Sequence, residues 1–139
     1  MGLFVDTSVW SLALRRDPPV QAPEAGALLM ALDRGEQLFT TGLVLQELLQ
    51  GFSGPRARAR IIEHFSSLPL VVPDRRDHIS AAELRNDCRQ AGVQVATIDA
   101  LLAQLCLRHR LTLLTTNQDF RLIAKRTALR LWASGATLN

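Results

Sequence analysis

Short apolar runs alternating with amphipathic stretches restrict this chain more than any other feature of it. Leu3–Val5, Gln37–Thr40, Leu70–Val72, Thr112–Leu114 and Leu129–Leu131 have the length and composition of strands buried on both faces. Between them, helical patterns cover Ser8–Arg15, Glu24–Arg34, Leu43–Phe52, Arg56–Ser66, Asp77–Ala91, Ile98–His109 and Asp119–Arg126. Pro18, Pro19 and Pro23 break the chain after the first helix, Gly54-Pro55 after the third, and Gly92 ends the long fifth one. Such alternation predicts an α/β layer fold with a mainly parallel sheet. The length of 139 residues suits one domain spanning 1–139. In such sheets ligands bind beyond the carboxyl ends of the strands, near the point where strand order reverses.

Carboxylates fall where that edge is expected. In LFVDTSVW, Asp6 follows the first apolar run and opens a helix. Asp99 starts an apolar helix that Thr97 is placed to cap, and Asp119 sits at the mouth of the helix after Thr112–Leu114. Singly, each of these three reads as a cap or as an acid favoured by the helix dipole, worth about 0.3–1 kcal/mol. Glu47 lies too far inside its helix for capping and alone reads as a solvated glutamate, with Gly51 one turn along on the same face. Together they form a different pattern. If the first and fourth strands are parallel neighbours, Asp6 and the Asp119 turn share one edge, and the start of the Asp99 helix reaches it. Four converging carboxylates repel one another and raise some of their pKa values. A divalent cation neutralises such a cluster, and an all-oxygen set suits Mg²⁺ or Mn²⁺.

Other chemistries are poorly represented. His64, His78 and His109 are scattered, Cys88 and Cys106 form no CxxC pair, and no phosphate-binding glycine loop is present. The two cysteines read as buried free thiols of a cytoplasmic protein. No run approaches the roughly 18 apolar residues of a membrane span, and no export signal is read at the N-terminus. Charge adds a direction. Sixteen basic residues, all arginine except Lys125, face 13 acidic ones. Setting the four clustered acids aside leaves nine acidic residues against 16 basic, a net of +7 that suits a polyanion. An arginine-rich solvated surface is the competing explanation, so charge alone does not name the partner.

VDTSVW, VLQELLQG and TIDALLAQLCLRHRLTLLTTNQDF, in that order, resemble a PIN-domain ribonuclease of the VapC type, the toxin of VapBC toxin–antitoxin modules. The resemblance spans nearly the whole chain. It implies a PIN-like α/β domain whose parallel sheet is sandwiched by helices. It also implies an Mg²⁺- or Mn²⁺-dependent hydrolase of RNA phosphodiesters, a VapB-type antitoxin partner and a homodimer. By match to the motifs, Asp6, Glu47, Asp99 and Asp119 are the catalytic and metal-binding acids. Ser8, Thr115 and Asn117 stand beside them as supporting residues. Asn117 occupies a place where many relatives have aspartate, which leaves open whether Asp119 binds metal directly or through water. The implied mechanism has one ion held chiefly by Asp6 and Asp99 and a second near Glu47 and Asp119, about 4 Å away.

Features at the rim have two readings each. Arg56 and Arg60 share a helix face while Arg58 points away; the pair either grips substrate phosphates, contacts a partner or is simply solvated. Trp10 and Leu14 widen the apolar arc of the first helix, which points to core packing or to a surface for a second copy or an antitoxin. Trp132 reads as core. Two rival functions remain at this level: a non-catalytic nucleic-acid or protein-binding module on the same fold, and an aspartate-based phosphotransfer protein. The second is disfavoured, because Ser8 stands where a phosphatase has its second Asp, and Lys125 is not at a strand end.

Overall fold

A computed structural model describes residues 2–15 and 22–134. The expected break at Pro18 and Pro19 lies outside the described residues. Elements run β1 (Leu3–Val5), α1 (Thr7–Leu14), α2 (Pro23–Arg34), β2 (Leu38–Phe39), α3 (Gly42–Gly51) and α4 (Pro55–Ser66). They continue with α5 (Arg75–Gln90), α6 (Thr97–His109), β3 (Thr112–Leu114), α7 (Asp119–Ala124) and β4 (Arg130–Leu131). The strands form one parallel sheet in the order β2-β1-β3-β4, flanked by the helices, as the alternation predicts.

Burial explains the order. The inner strands β1 and β3 carry Phe4, Val5, Leu113 and Leu114, all inaccessible to solvent, whereas edge strand β4 pairs through just two residues. β1 and β3 are parallel neighbours in the register Leu3↔Thr112, Phe4↔Leu113 and Val5↔Leu114. Because β1 is followed by β2 on one side and flanked by β3 on the other, the strand order reverses between β1 and β3. That is the place where an open α/β sheet binds ligands.

One expected strand does not form. Leu70–Val72 makes a single bridge, Thr40↔Leu70, with Val71 N–H donating to Thr40 O at 2.7 Å. Pro69 and Pro73 flank the segment and supply no amide donors to a ladder, and Val72 projects into solvent. Helix ends also differ by a residue or two from expectation. α5 starts at Arg75 under a capping box in which Asp74 accepts from Asp77 N and Asp77 accepts from Asp74 N, each at 2.9 Å. Thr97 is the first residue of α6 and makes no side-chain cap bond. Gly92, at φ +81°, follows the α5 terminus in the left-handed conformation that ends a helix cheaply.

Trp10 is core. It is 1% exposed and packs on Phe65 (centroids 4.9 Å apart) and His64 (6.2 Å), both from α4. The expected partner surface around Trp10 and Leu14 is thereby reduced to half-buried Leu14. α4 takes up the second apolar face of α1 that the sequence left unassigned. Trp132 is partly buried and packs against the core. Cys88 and Cys106 are buried free thiols, and burial followed by the Asp6 charge pushes the Cys106 thiol up.

Candidate active site

Asp6 is fixed by the sheet before any side chain acts. Its backbone N–H donates to Leu114 O at 3.0 Å, so the β1–β3 ladder delivers it beside Thr115 at the carboxyl edge. As N-cap of α1 it accepts from Thr7 N at 2.8 Å through Oδ1. Its Oδ2 accepts from Ser8 Oγ at 2.9 Å and from Thr115 Oγ1 at 2.8 Å. The carboxylate is 6% exposed. Three donors hold it in one orientation, and a carboxylate has about four acceptor positions, so one stays open. Capping and site-building are therefore the same structure, and the two readings of Asp6 do not compete.

Ser8 and Thr115 do more than touch Asp6. Ser8 Oγ accepts from Thr116 N at 3.1 Å, and Thr115 Oγ1 accepts from Asn117 N at 3.0 Å. These bonds fold the turn after β3 back over the start of α1. Asn117 then spans two acids: its Nδ2 reaches Asp99 Oδ2 at 3.5 Å, and its Oδ1 accepts from Asp119 N at 3.0 Å. Asn117 thus positions the acids on either side.

Glu47 enters from α3 and is held by a residue that sequence reasoning passed over. Thr7 Oγ1 donates to Glu47 Oε1 at 2.8 Å, linking positions 40 residues apart. A hydroxyl immediately after a capping aspartate reads as helix-start chemistry, so the signal at Thr7 was present but ambiguous. Gly51, one turn beyond Glu47, faces open space.

Electrostatics join the four acids. Asp99 is half-buried, and burial first, then the charges of Asp6, Asp119 and Glu47, pushes its carboxyl up to about 6. A carboxylate destabilised by three others is the repulsion expected of the cluster. Among the described residues, however, no three His, Cys, Asp or Glu side chains are drawn up as a ready cage for a cation. The fit to a divalent ion lies in donor chemistry: Asp6 retains an open position, and Glu47 Oε2 and Asp99 Oδ1 accept from no donor among the described residues. Asp119 is exposed at the mouth of α7. Arg56 and Arg60 do not join the acids. They line a separate groove of about 700 Å³ with Leu14, Phe52 and Pro55, and Arg58 is absent from its lining as its helix face requires.

A parallel sheet in this order, with acids set beyond β1 and β3, defines a class: the PIN-domain family model matches residues 3–126, and the chain belongs to that family. Among individual proteins, it is 28% identical over 130 residues to ribonuclease VapC11 of Mycobacterium tuberculosis, covering 92% of this chain and 96% of that protein. A VapC ribonuclease of Mycobacterium bovis matches with the same figures, 28% over 130 residues. In structure it is similar to VapBC2 of Rickettsia felis bound to a promoter DNA fragment, with TM-score 0.75, 22% identity, and 95% and 98% of the two chains covered. VapBC-1 of nontypeable Haemophilus influenzae gives TM-score 0.72, 17% identity and 95% and 97% coverage.

Proposed function

We propose that this chain is a divalent-metal-dependent endoribonuclease and the toxin of a VapBC-type pair, working in the cytoplasm as one PIN-like domain over 1–139. The observation that carries this reading is the gathering of Asp6, Glu47, Asp99 and Asp119 at the carboxyl edge of β1 and β3. There burial first, and then the charges of the other three, pushes the Asp99 carboxyl up. Asp6, Glu47, Asp99 and Asp119 would hold Mg²⁺ or Mn²⁺ and form the catalytic set. When bound, such an ion supplies a more acidic water and compensates the charge of the phosphate. The protein's own contribution is placement. Thr7, Ser8 and Thr115 lock the Glu47 and Asp6 carboxylates through short hydroxyl bonds, and Asn117 holds Asp99 against the Asp119 turn. Such supporting bonds commonly matter ten- to a hundredfold in metal affinity or activity. Arg56 and Arg60 would grip phosphates of a longer RNA in their groove.

Purified protein incubated with RNA tests the nuclease. EDTA should abolish cleavage, Mg²⁺ or Mn²⁺ should restore it, and Ca²⁺ should restore it poorly, because the larger ion relaxes the geometry of attack. Full activity after exhaustive chelation, or dependence on zinc alone, overturns the assignment; no cleavage under any metal returns the non-catalytic module.

The partner is proposed on the relatives, which include VapBC complexes. The half-buried Leu14 and Phe52 offer an antitoxin some apolar surface, and a homodimer is proposed alongside it. Expression of this chain alone should arrest growth, with relief by co-expression of a VapB-type gene lying upstream of it. Harmless accumulation of folded, RNA-cleaving protein removes the toxin role and leaves the nuclease.

A further inference from the structure

The turn that presents Thr115 and Asn117 to the acids also forms one wall of a second cleft, of about 470 Å³. Trp132 just after β4, Gln118 at the N-cap of α7, Arg121 within α7 and Glu24 in the first turn of α2 close it. We propose that this cleft is a nucleotide-reading subsite, in which one unpaired nucleotide of the RNA beside the scissile phosphate stacks on Trp132. The proposal rests on the ribonuclease reading and names what that reading leaves open, the part of the protein that chooses the RNA.

Four observations meet here. Trp132 offers an aromatic wall in a fixed place, since its backbone N–H donates to Leu113 O at 2.9 Å and its ring packs against the core while still lining the cleft. Stacking on such a ring is how proteins hold unpaired bases. Arg121 is exposed and makes no ion pair among the described residues, so its guanidinium is available to a phosphate. Gln118 brings both a donor and acceptor, and Glu24 a strong acceptor, which together match the amino and imino edge of a base. Guanine presents two such donors side by side and makes the fullest match; uracil presents one. The volume falls in the range of small-ligand sites.

Position supplies the last argument. Asn117 lines this cleft and also reaches Asp99. A strand whose phosphate lies over the acids therefore has its adjoining nucleotide at the cleft mouth. The groove of Arg56 and Arg60 shares no lining residue with the acids or with this cleft. Sequence reasoning placed Trp132 in the core, and that describes one side of the ring.

Tryptophan fluorescence tests the cleft without cleavage. Trp10 is 1% exposed, so quenching by a small solute reports Trp132. The four nucleoside 5′-monophosphates and ribose 5-phosphate are the probes. Saturable quenching by nucleotides, several-fold tighter for GMP than UMP and absent with ribose 5-phosphate, supports the subsite. Arg121→Ala should weaken nucleotide binding by about tenfold, the scale of one charge-assisted hydrogen bond. Gln118→Ala should flatten the GMP-to-UMP ratio, a readout that general damage to the fold does not move. Gln118→Ala should likewise flatten the ratio of kcat/KM between RNAs that differ in the single nucleotide next to the cut, whereas Arg121→Ala should lower kcat/KM alike for both. Equal response to ribose 5-phosphate, no saturable quenching, or an unaltered GMP-to-UMP ratio in Gln118→Ala overturns the subsite. Normal RNA cleavage with any of those results leaves the nuclease standing. Base-dependent quenching in a protein that never cleaves RNA sinks the nuclease and keeps a nucleotide site.

Discussion

Asp99→Asn is expected to lose RNA cleavage by orders of magnitude while its metal-free form melts higher than the wild type at pH 7 and above. Asp99 carries a carboxyl raised to about 6, by burial and then by Asp6, Asp119 and Glu47. Its ordinary value is 3.8. Between those values the folded protein binds a proton that the unfolded chain has released, so the wild type loses stability as pH rises through that window. The amide has no such dependence. Mutant and wild type should therefore melt alike near pH 4 and separate up to about pH 7, with the mutant above. Metal reverses the ranking. Mg²⁺ at a hundredfold excess over its Kd should raise the wild-type melting temperature on the order of 10 °C by mass action and move the mutant far less. Asp6→Asn should equally abolish cleavage, yet it gains no stability, because Oδ2 of Asp6 accepts two hydroxyl bonds that an amide nitrogen does not. Thermal melts with and without Mg²⁺, plus one RNA assay, decide the matter. An Asp99→Asn protein that cleaves normally and responds to Mg²⁺ like wild type removes the site.

The central strands were legible because burial on both faces writes an uninterrupted apolar run, and Leu3–Val5 and Thr112–Leu114 match expectation residue for residue. Leu70–Val72 writes the same kind of run, and only its flanking prolines hinted that it would stop at one bridge. The acids were legible as a set, but their supports were not equally so. Ser8 lies two residues from Asp6, within the reach of a local pattern, whereas Thr7 finds Glu47 40 residues away, a pairing that no local pattern encodes. Trp10 shows a further limit. An apolar arc on a helix says how much surface must be covered, not by what, and here Phe65 and His64 of α4 cover it. The same holds for Asp77 and Arg108, 31 residues apart, whose pairing became visible only in three dimensions.

That pair carries the largest expected effect on stability. Asp77 is wholly inaccessible to solvent and receives Arg108 Nε and Nη2 at 2.7 Å each, besides Asp74 N at 2.9 Å. Burial by itself would push its carboxyl up; the Arg108 hydrogen bonds, the Asp74 backbone and the Arg108 charge outweigh it and leave it below the ordinary carboxylate value. An ionised Asp77 thus stabilises the fold above that ordinary value, and the contribution disappears as pH falls through the lowered one. Arg108→Met keeps most of the apolar stem and removes the guanidinium, so burial is then opposed only by the Asp74 and Gln104 hydrogen bonds and the folded carboxyl moves up from its wild-type position. At pH 7 the variant must hold an uncompensated buried charge, and its melting temperature should fall on the order of 10 °C. The deficit should shrink steadily as pH drops from 6 towards 3, where Asp77 is protonated in both folded and unfolded chains. Adding Asp77→Asn to Arg108→Met should recover part of the loss at pH 7, because the amide is neutral and its oxygen still accepts from Asp74 N–H in the capping box. The pair fastens α5 to α6, and α6 begins two residues before Asp99. RNA cleavage at 25 °C should accordingly stay within a few-fold of wild type while its thermal inactivation moves down with the melt. A loss that is the same at every pH, or one that Asp77→Asn fails to relieve, would assign the effect to packing of the arginine stem and not to the buried charge.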